Sequence, residues 1–335
     1  MYSLYLYFLI FPMIIMSYIF ALSSNTYFSL WMSLELNMLT FIPLLIFNNK
    51  NFNEMPIIYF MIQSISSTIF LFSSFILMFN LLFMNFKLLL MCMLFIKIAL
   101  IPFHQWFIKM MMNLNWLNCF MLMTLQKFIP FILLMNFNKF NYLILIVIYS
   151  NLLSSILSMN LTNIKLILGY SSINHSSWLI IISFIYKNLW MIYYLIYLLL
   201  NYFIINFLKI SNIIFINQLN YIPNLNKYMK ILFILTLFSL SGLPPFIGFI
   251  MKWFSLINFS MNFMYLISII LIFSSMINLY IYLHLTFSNL MFFSYKLNYF
   301  KFNMLISFKL IKFNYMNFFM MINLITLFMF LMILN

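Results

Sequence analysis

Long apolar stretches, separated by short linkers rich in Asn, Lys and Ser, run along the whole chain of 335 residues. About 20 consecutive apolar residues are enough for a helix to cross a bilayer. By that length the pattern predicts eleven spans, at roughly 3–22, 27–47, 57–80, 87–107, 117–136, 141–160, 168–186, 189–208, 230–256, 261–287 and 314–334. No linker is long enough to hold a soluble domain. The predicted fold class is therefore an all-α, multi-pass membrane protein with a single transmembrane domain over 1–335.

The first predicted span is expected to be retained as a helix. It lacks the basic segment and the small-residue cleavage site that mark a secretory signal peptide. No Arg-rich transit sequence accompanies it, since the chain contains no arginine.

Composition excludes the common classes of soluble protein. Apolar residues make up 67% of the chain and charged residues 5%, against about 25% charged in ordinary soluble domains. A solvated surface cannot be built from this set, and a disordered chain would need low hydrophobicity. The two cysteines, Cys92 and Cys119, lie in apolar runs and indicate no disulfide framework. The net charge of +14 comes from lysines scattered singly rather than clustered on one face, so no nucleic-acid partner is predicted.

The lysines outside the apolar stretches predict an orientation. On the side of the N-terminus, the loops are predicted to hold Lys50, Lys109, Lys165, Lys209, Lys227, Lys230, Lys296, Lys301, Lys309 and Lys312, and on the other side Lys87, Lys139 and Lys187. Loops on the cytoplasm-like side of a membrane carry the excess of lysine. The N-terminus is therefore predicted on that side, and eleven spans put the C-terminus on the opposite side.

Four charged residues lie inside apolar stretches: Glu35, Lys97, Lys127 and Lys252. A charge at mid-bilayer costs about 2.5–3.5 kcal/mol on insertion scales, so such residues are usually functional. Two structural explanations compete with a charge relay. One is a buried ion pair, but a single glutamate cannot neutralise three lysines. The other is snorkelling of the amine to the interface, which is possible for Lys252 but implausible for Lys97 and Lys127. A charge-relay role is favoured.

Prolines and glycines predict two broken helices. Pro102 follows Lys97 by five residues, and the ninth stretch contains Gly242, Pro244, Pro245 and Gly248 in the string SGLPPFIG. Proline removes a backbone donor and clashes with the preceding turn. Broken helices at corresponding positions of two halves are typical of transporters built from inverted repeats. The fourth and ninth stretches are five apart, which predicts repeats over about 25–160 and 165–290, followed by a C-terminal helix over 314–334. A simple packing kink stays possible at Pro102.

Histidines supply the remaining groups that titrate near neutral pH. His175, in the string INHSSW near the start of the seventh stretch, is preferred over His104 and His284 as a relay residue, although a packing role is common for a lone histidine. No His, Cys or carboxylate pair has the spacing of metal ligands. No phosphate loop, dinucleotide motif, haem motif or iron–sulfur cysteine set is present. Any redox chemistry is expected in other chains.

The strings KIALIPFHQWF, LQKFIPF, LGYSSINHSSW and SGLPPFIGFIMKW occur in that order. With them the whole chain resembles the antiporter-like subunits of respiratory NADH–quinone oxidoreductase (complex I). Chain length and the stretch SLELNMLTFIPLL resemble one mitochondrial subunit type of insect-like animals. The resemblance implies two inverted five-helix repeats, eleven helices in all, an N-terminus in the matrix and a C-terminus in the intermembrane space.

The resemblance also implies roles for individual residues. Glu35 matches the glutamate that pairs with the broken-helix lysine, Lys97. Lys127 matches the central lysine of the polar axis, His175 the relay histidine, and Lys252 the terminal lysine. A serine stands where the family usually has a glycine after the histidine, which puts local packing there in doubt.

Implied partners and cofactors follow from the same resemblance. The partners are the other membrane-arm subunits, including a neighbouring antiporter-like subunit and small hydrophobic subunits, together with phospholipids. This chain itself is expected to hold no cofactor, because NADH, FMN, iron–sulfur clusters and ubiquinone are bound by other subunits. Two alternatives stay open: a stand-alone cation/proton antiporter of the same fold, and a membrane scaffold in which Lys97, Lys127 and Lys252 could be replaced without loss of activity.

Overall fold

A computed structural model describes residues 2–24, 26–48, 54–78, 83–135, 141–185, 187–219, 227–244, 246–261 and 264–291. Within these ranges the chain is helical apart from turns and one isolated antiparallel bridge between Asn163 and Phe215. The helices are α1 (Tyr2–Ser23), α2 (Tyr27–Asn48), α3 (Glu54–Met78), α4 (Phe83–Ile98), α5 (Gln105–Asn113), α6 (Trp116–Met123), α7 (Leu125–Met135), α8 (Asn141–Ser158), α9 (Ile164–Ile185), α10 (Lys187–Ser211), α11 (Ile216–Leu219), α12 (Lys227–Ser241), α13 (Ile247–Met261) and α14 (Tyr265–Met291).

The all-helical fold class is confirmed for the described residues. The first ten predicted spans each coincide with a helix or with a pair of consecutive helices. Five helical segments there are long and apolar enough to cross a membrane: Tyr27–Phe47, Glu54–Leu77, Trp116–Met135, Asn188–Ser211 and Tyr265–Phe287. The eleventh predicted span, 314–334, lies outside the described residues. The total of eleven and the inverted repeats stay predictions.

The described chain divides into two compact units, and the first comprises residues up to Ser154 together with Leu168–Lys187. In this unit α2 packs against α1 and α3, and α3 packs against α4. Helix α7 contacts α1, α2, α4 and α6, so it occupies the middle of this group. Large aromatic side chains, including Phe41, Phe70, Phe95 and Phe131, are fully buried.

The second unit comprises Ser155–Ile167 and the residues from Asn188 onward. Helices α12, α13 and α14 pack against one another, and the short α11 contacts α14. The rings of Phe207 and Phe233 stack with their centroids 4.3 Å apart. Two amide hydrogen bonds, from Ile164 to the Ile214 carbonyl and from Ile216 to the Thr162 carbonyl, flank the bridge between Asn163 and Phe215.

Each unit has an apolar outer surface, unlike a soluble domain, and buries many small polar side chains among its apolar ones. The outward side chains of α1 and α14 are mostly apolar, while serine, threonine and asparagine side chains are concentrated inside. Buried hydroxyls donate back to carbonyl oxygens of their own helix, as Ser17 does to Ile14 and Ser154 does to Asn151. Backbone and hydroxyl groups are thereby satisfied without water, which is what a hydrocarbon environment requires.

Three expectations from the sequence are corrected by the structure. Lys165, expected in a loop, lies in the first turn of α9 and is only 7% exposed. His175, expected near the start of its helix, lies in the middle, because α9 begins four residues earlier than predicted. The predicted span 117–136 is interrupted at Thr124, between α6 and α7.

Candidate functional site

The first break separates α4 from α5. Helix α4 ends at Ile98, and Ala99 adopts the left-handed conformation with φ of 66°. The Leu100 amide then donates to the Phe95 carbonyl at 3.1 Å, a closure typical of helix C-termini. The helical path resumes at Gln105, so the break predicted near Pro102 is present.

Lys97 lies in the last turn of α4, directly before this break, and is 6% exposed. A positive charge is favoured at the carbonyl end of a helix, where it opposes the negative end of the macrodipole. Glu35 on α2 interacts electrostatically with Lys97. The hydroxyl of Ser67 on α3 donates a short hydrogen bond to the Glu35 carboxylate. The break therefore has an acid and an amine of opposite charge on neighbouring helices.

Side chains after the break contact main-chain carbonyl oxygens at and before it. The Trp106 indole nitrogen donates to the Ile96 carbonyl at 3.2 Å. The Nδ1 atom of His104 lies 3.3 Å from the Pro102 carbonyl oxygen. The His104 ring also faces the ring of Tyr170, with centroids 5.9 Å apart. His104 therefore has local contacts on both sides of its ring, and the preference for His175 as the relay histidine stays a prediction.

Lys127 lies three residues after the interruption at Thr124. It is 3% exposed, and its Nζ atom donates to the carbonyl oxygen of Ser172 at 3.3 Å and to the hydroxyl oxygen of Ser172 at 3.2 Å. The Ser172 hydroxyl donates in turn to the Gly169 carbonyl, which leaves its oxygen available as an acceptor. The ammonium also lies 4.8 Å from the centroid of the Phe107 ring. These contacts are all neutral, in contrast to the carboxylate near Lys97.

His175 is carried by the same helix that receives Lys127. It is 6% exposed and follows Ser172 by three residues, which places both on one face of α9. The flanking residues Asn174 and Ser176 are buried as well, and the Asn174 amide donates to the Asn151 carbonyl on α8 at 3.4 Å. The structure therefore brings Lys127 to the polar segment of α9 that contains His175.

The second break, in the second unit, separates α12 from α13. Helix α12 ends at Ser241, and Gly242 has φ of 83°. The Leu243 amide donates to the Phe238 carbonyl at 3.3 Å, the same closure as at the first break. A side chain on Gly248 would collide with the Ser239 carbonyl oxygen, so the two half-helices approach closely at that glycine. Pro245 lies outside the described residues.

Lys252 on α13 reaches back across this break. Its Nζ atom donates to the Ser241 carbonyl at 2.8 Å, and the side chain is 6% exposed. A Cβ on Gly242 would lie 2.9 Å from Cδ and 3.1 Å from Nζ of this lysine. The possibility that Lys252 snorkels to the surface is therefore wrong, since the amine caps the carbonyl end of α12.

The two breaks have corresponding sequences. The segments Ala99-Leu100-Ile101-Pro102-Phe103 and Gly242-Leu243-Pro244-Pro245-Phe246 align residue for residue, with the left-handed residue first in each. The lysines differ, because Lys97 precedes its break whereas Lys252 follows its own. In both cases a buried lysine lies at the end of the first half-helix: Lys97 in its last turn, and Lys252 through its hydrogen bond to the Ser241 carbonyl.

Sequence reasoning missed a set of buried polar contacts beside these charges. The hydroxyl of Tyr59 donates to Oε1 of Gln126 at 2.9 Å, and Nε2 of Gln126 donates to Oδ1 of Asn37 at 3.3 Å. The available signal was a polar residue close to two of the charges in apolar stretches: Gln126 directly before Lys127, and Asn37 two residues after Glu35. Among the described residues, no three His, Cys, Asp or Glu side chains come together as metal ligands.

Comparisons with known proteins agree on one family. The model of a family described as "NADH:quinone oxidoreductase/Mrp antiporter, TM" matches residues 24–278. The NADH-ubiquinone oxidoreductase chain 2 of Anopheles gambiae is 36% identical over 266 residues, which cover 77% of this chain and 78% of the relative.

Among solved structures, a chain of respiratory complex I from Thermus thermophilus has a TM-score of 0.77 at 20% identity, covering 85% of this chain and 70% of that one. A chain of the Mrp complex from Dietzia sp. has a TM-score of 0.71 at 14% identity, covering 82% and 58% respectively. At these identities the structures show a shared fold.

Proposed function

The chain belongs to the family of membrane subunits shared by NADH:quinone oxidoreductases and Mrp antiporters, and from this membership we propose that it carries protons as a membrane-arm subunit of respiratory complex I. It is a multi-pass protein of the mitochondrial inner membrane. The proton path runs through Glu35, Lys97, Lys127, His175 and Lys252. NADH oxidation and ubiquinone reduction take place in other subunits, which hold the FMN and the iron–sulfur clusters.

The observation that carries this proposal is the burial of three lysine amines at interrupted helices. A buried charge in an apolar protein is costly and is retained where it functions. Each amine has surroundings that stabilise its charged form: the nearby Glu35 charge for Lys97, neutral oxygens for Lys127 and a helix carbonyl end for Lys252.

The mechanism follows from the electrostatics of the first break. While Glu35 is ionised and accepts the Ser67 hydroxyl, its charge holds the proton on Lys97. When that interaction weakens, burial favours the neutral amine, and the proton moves toward Lys127 and then His175. Moving one charge through 100 mV requires about 2.3 kcal/mol. A modest rearrangement of buried charges changes the electrostatic energy by a similar amount, so it is large enough to drive the transfer of a proton.

The partners and the topology are part of the same proposal. The other membrane-arm subunits of complex I, including a neighbouring antiporter-like subunit and small hydrophobic subunits, cover faces of this chain, and phospholipids cover the rest. The N-terminus lies in the matrix and the C-terminus in the intermembrane space. The excess of lysines in the loops on the N-terminal side supports this orientation.

The direct test is the Lys97→Met substitution in a genetically tractable relative, at the aligned position. We expect NADH-driven proton pumping to fall at least tenfold, because the amine that pairs with Glu35 is lost while a side chain of similar length remains. Pumping is measured in inverted membranes by the quenching of a pH-sensitive dye.

Lys109→Met is the matched control. Lys109 lies on α5, beyond the same break, and its side chain is exposed. The same charge is removed without touching the buried pair. Pumping that survives Lys97→Met as well as it survives Lys109→Met would contradict the proposal and favour the scaffold alternative.

A further inference from the structure

Three buried polar side chains connect α2, α3 and α7 in the first unit. Tyr59 on α3 donates its hydroxyl proton to Gln126 on α7 at 2.9 Å, and the Gln126 amide donates to Asn37 on α2 at 3.3 Å. All three side chains are buried. The central glutamine uses both ends of its amide, one as acceptor and one as donor. Each hydrogen bond therefore joins a different pair of helices.

An aromatic contact extends this set to the first break. The ring of Tyr59 lies against the ring of Trp106, with centroids 6.2 Å apart, and also against the ring of Phe41 at 5.1 Å. The Trp106 indole donates to the carbonyl of Ile96, the residue directly before Lys97. We call the four polar or aromatic members, Asn37, Tyr59, Trp106 and Gln126, the cross-helix chain.

On α2 and α7, a member of the cross-helix chain and a charged residue face different neighbours. On α2, Glu35 meets Ser67 of α3, while Asn37, two residues later, meets Gln126 of α7. Residues two apart on a helix point in different directions. A rotation or shift of α2 therefore changes both contacts together.

The same arrangement recurs on α7. Gln126 is directed toward Asn37 and Tyr59, while the adjacent Lys127 is directed toward Ser172 of α9. Adjacent residues on a helix are separated by about 100°. A displacement of α7 that strains the Gln126 contacts also changes the distance from the Lys127 amine to its acceptors.

We propose that the cross-helix chain is a set of positioning residues that transmits the state of the Glu35–Lys97 pair to Lys127. Close-packed interiors pass on small displacements rather than absorbing them. A change in charge at Glu35 that moves α2 is passed through Asn37 and Gln126 to α7. Coupling between sites is carried by such contiguous contacts between rigid elements. The inference rests on the proposed function and adds residues that touch no proton themselves.

The composition of the cross-helix chain favours this role over simple packing. Apolar side chains would fill the same space without the need to satisfy buried polar atoms. Hydrogen bonds between three helices instead define one relative position for each helix. The partners lie 67 and 89 residues apart in sequence, so the contacts serve no local helical structure.

Tyr59→Phe tests the inference, because it removes one hydroxyl and keeps the ring contacts with Trp106 and Phe41. Tyr18→Phe is the matched control: Tyr18 also donates one hydrogen bond to α7 in the same unit, to the Leu125 carbonyl at 3.1 Å. Both variants are made at the aligned positions of a tractable relative. The readout is the number of protons pumped per NADH oxidised by the assembled complex in membranes.

We expect Tyr59→Phe to lower the proton-to-NADH ratio about twofold, because the buried Gln126 oxygen loses the donor that helps to fix its position. NADH oxidation and the amount of assembled complex are expected to match those of Tyr18→Phe. Equal ratios in the two variants would overturn the inference. If pumping also survives Lys97→Met, the proposed function fails. If Lys97→Met abolishes pumping while Tyr59→Phe behaves as Tyr18→Phe, the positioning role alone fails.

A double substitution gives an independent check. If Tyr59 acts through Gln126, adding Tyr59→Phe to Gln126→Leu lowers the ratio no further than Gln126→Leu alone. If the double variant instead loses as much as the two single losses combined, Tyr59 does not act through Gln126, and the inference is contradicted. Asn37→Ala removes the acceptor of the Gln126 amide without adding bulk, and it takes the place of Gln126→Leu if that variant does not assemble.

Discussion

At the scale of single residues, the three buried lysines are held in three different ways. Lys97 has a carboxylate nearby, Lys127 has serine oxygens and an aromatic face, and Lys252 has one main-chain carbonyl. Identical side chains thereby lie in three different electrostatic surroundings. In a relay, the charged or polar groups around each amine decide how readily it holds or releases a proton.

The glycines give a prediction at this scale. Gly242→Ala is expected to lower stability by about 1–2 kcal/mol, because a left-handed φ is unfavourable for alanine. The new Cβ would also press on Lys252 and move its amine from the Ser241 carbonyl. The measurement is the temperature at which the solubilised complex loses this subunit.

Gly169→Ala is the control for that experiment. Gly169 lies inside α9, and a Cβ there would meet Ile108 and Met111 at an ordinary contact distance of 3.5 Å. Alanine is preferred over glycine in a helix by roughly 0.5–1 kcal/mol. The two substitutions are thus expected to act with opposite signs. Equal destabilisation would show that the backbone at Gly242 is not the cause.

At the scale of elements, the two interrupted helices end their first halves in the same way but with different residues. Both close the first half-helix with a left-handed residue and a bond from the next amide to the carbonyl five residues earlier. The second break uses Gly242, which adopts this conformation freely, whereas the first uses Ala99, which does not. The first break therefore stores conformational strain that the second lacks.

The two alanines of the chain make this difference testable. Ala99→Gly is expected to be neutral or to stabilise by up to about 1 kcal/mol, because glycine relieves the positive φ. Ala21→Gly, at a buried position in the last turn of α1, is expected to destabilise by about 0.5–1 kcal/mol, because glycine is a poorer helix former than alanine. The comparison uses the same thermal measurement. A loss at Ala99 as large as that at Ala21 would contradict the strain.

Sequence predicted those elements whose signals are local. Proline and glycine predicted both breaks. The apolar residues around Lys97 and Lys127 predicted that these two lysines are buried. The interruption at Thr124 carried no such signal, since its backbone bends without proline or glycine, and the Thr124 hydroxyl bonds the Phe120 carbonyl at 2.6 Å. The burial of Lys165 was missed because hydropathy around a helix end does not show what covers it.

In the candidate site, too, some features could be predicted from sequence and others could not. Its charged members could be named from sequence because each is anomalous among apolar neighbours. The contacts of Lys127 with Ser172 and of Gln126 with Asn37 join residues 45 and 89 positions apart, and only tertiary packing brings them together. Sequence could therefore identify the charges but not the groups that hold them.

At the scale of the whole molecule, the outer surface of each unit is apolar and therefore needs apolar surroundings. Lipid or other membrane subunits must cover the exposed side chains of α1 and α14. Membership in a family shared by respiratory complexes and Mrp antiporters leaves two assemblies to separate: a large redox complex and an antiporter without redox chemistry.

Native gel electrophoresis of mitochondrial membranes in mild detergent separates them. We expect peptides of this chain only in the large band that oxidises NADH in the gel, because the proposed partners are other complex I subunits. A band near 40.7 kDa, or a small oligomer, would contradict this and favour the antiporter, with ion flux in liposomes as the next assay.

The hydrogen bond from Lys252 to the end of α12 gives this amine a structural role beside the proton transfer proposed for it. The amine belongs to one half of the broken helix and the carbonyl to the other, so their attraction holds the joint shut. Without its proton the amine keeps its N–H groups but loses the charge that the helix end attracts. In the proposed proton path, loss of the proton from Lys252 therefore weakens the link between α12 and α13, and its return strengthens that link. Proton transfer at Lys252 and the joining of the two half-helices are then coupled.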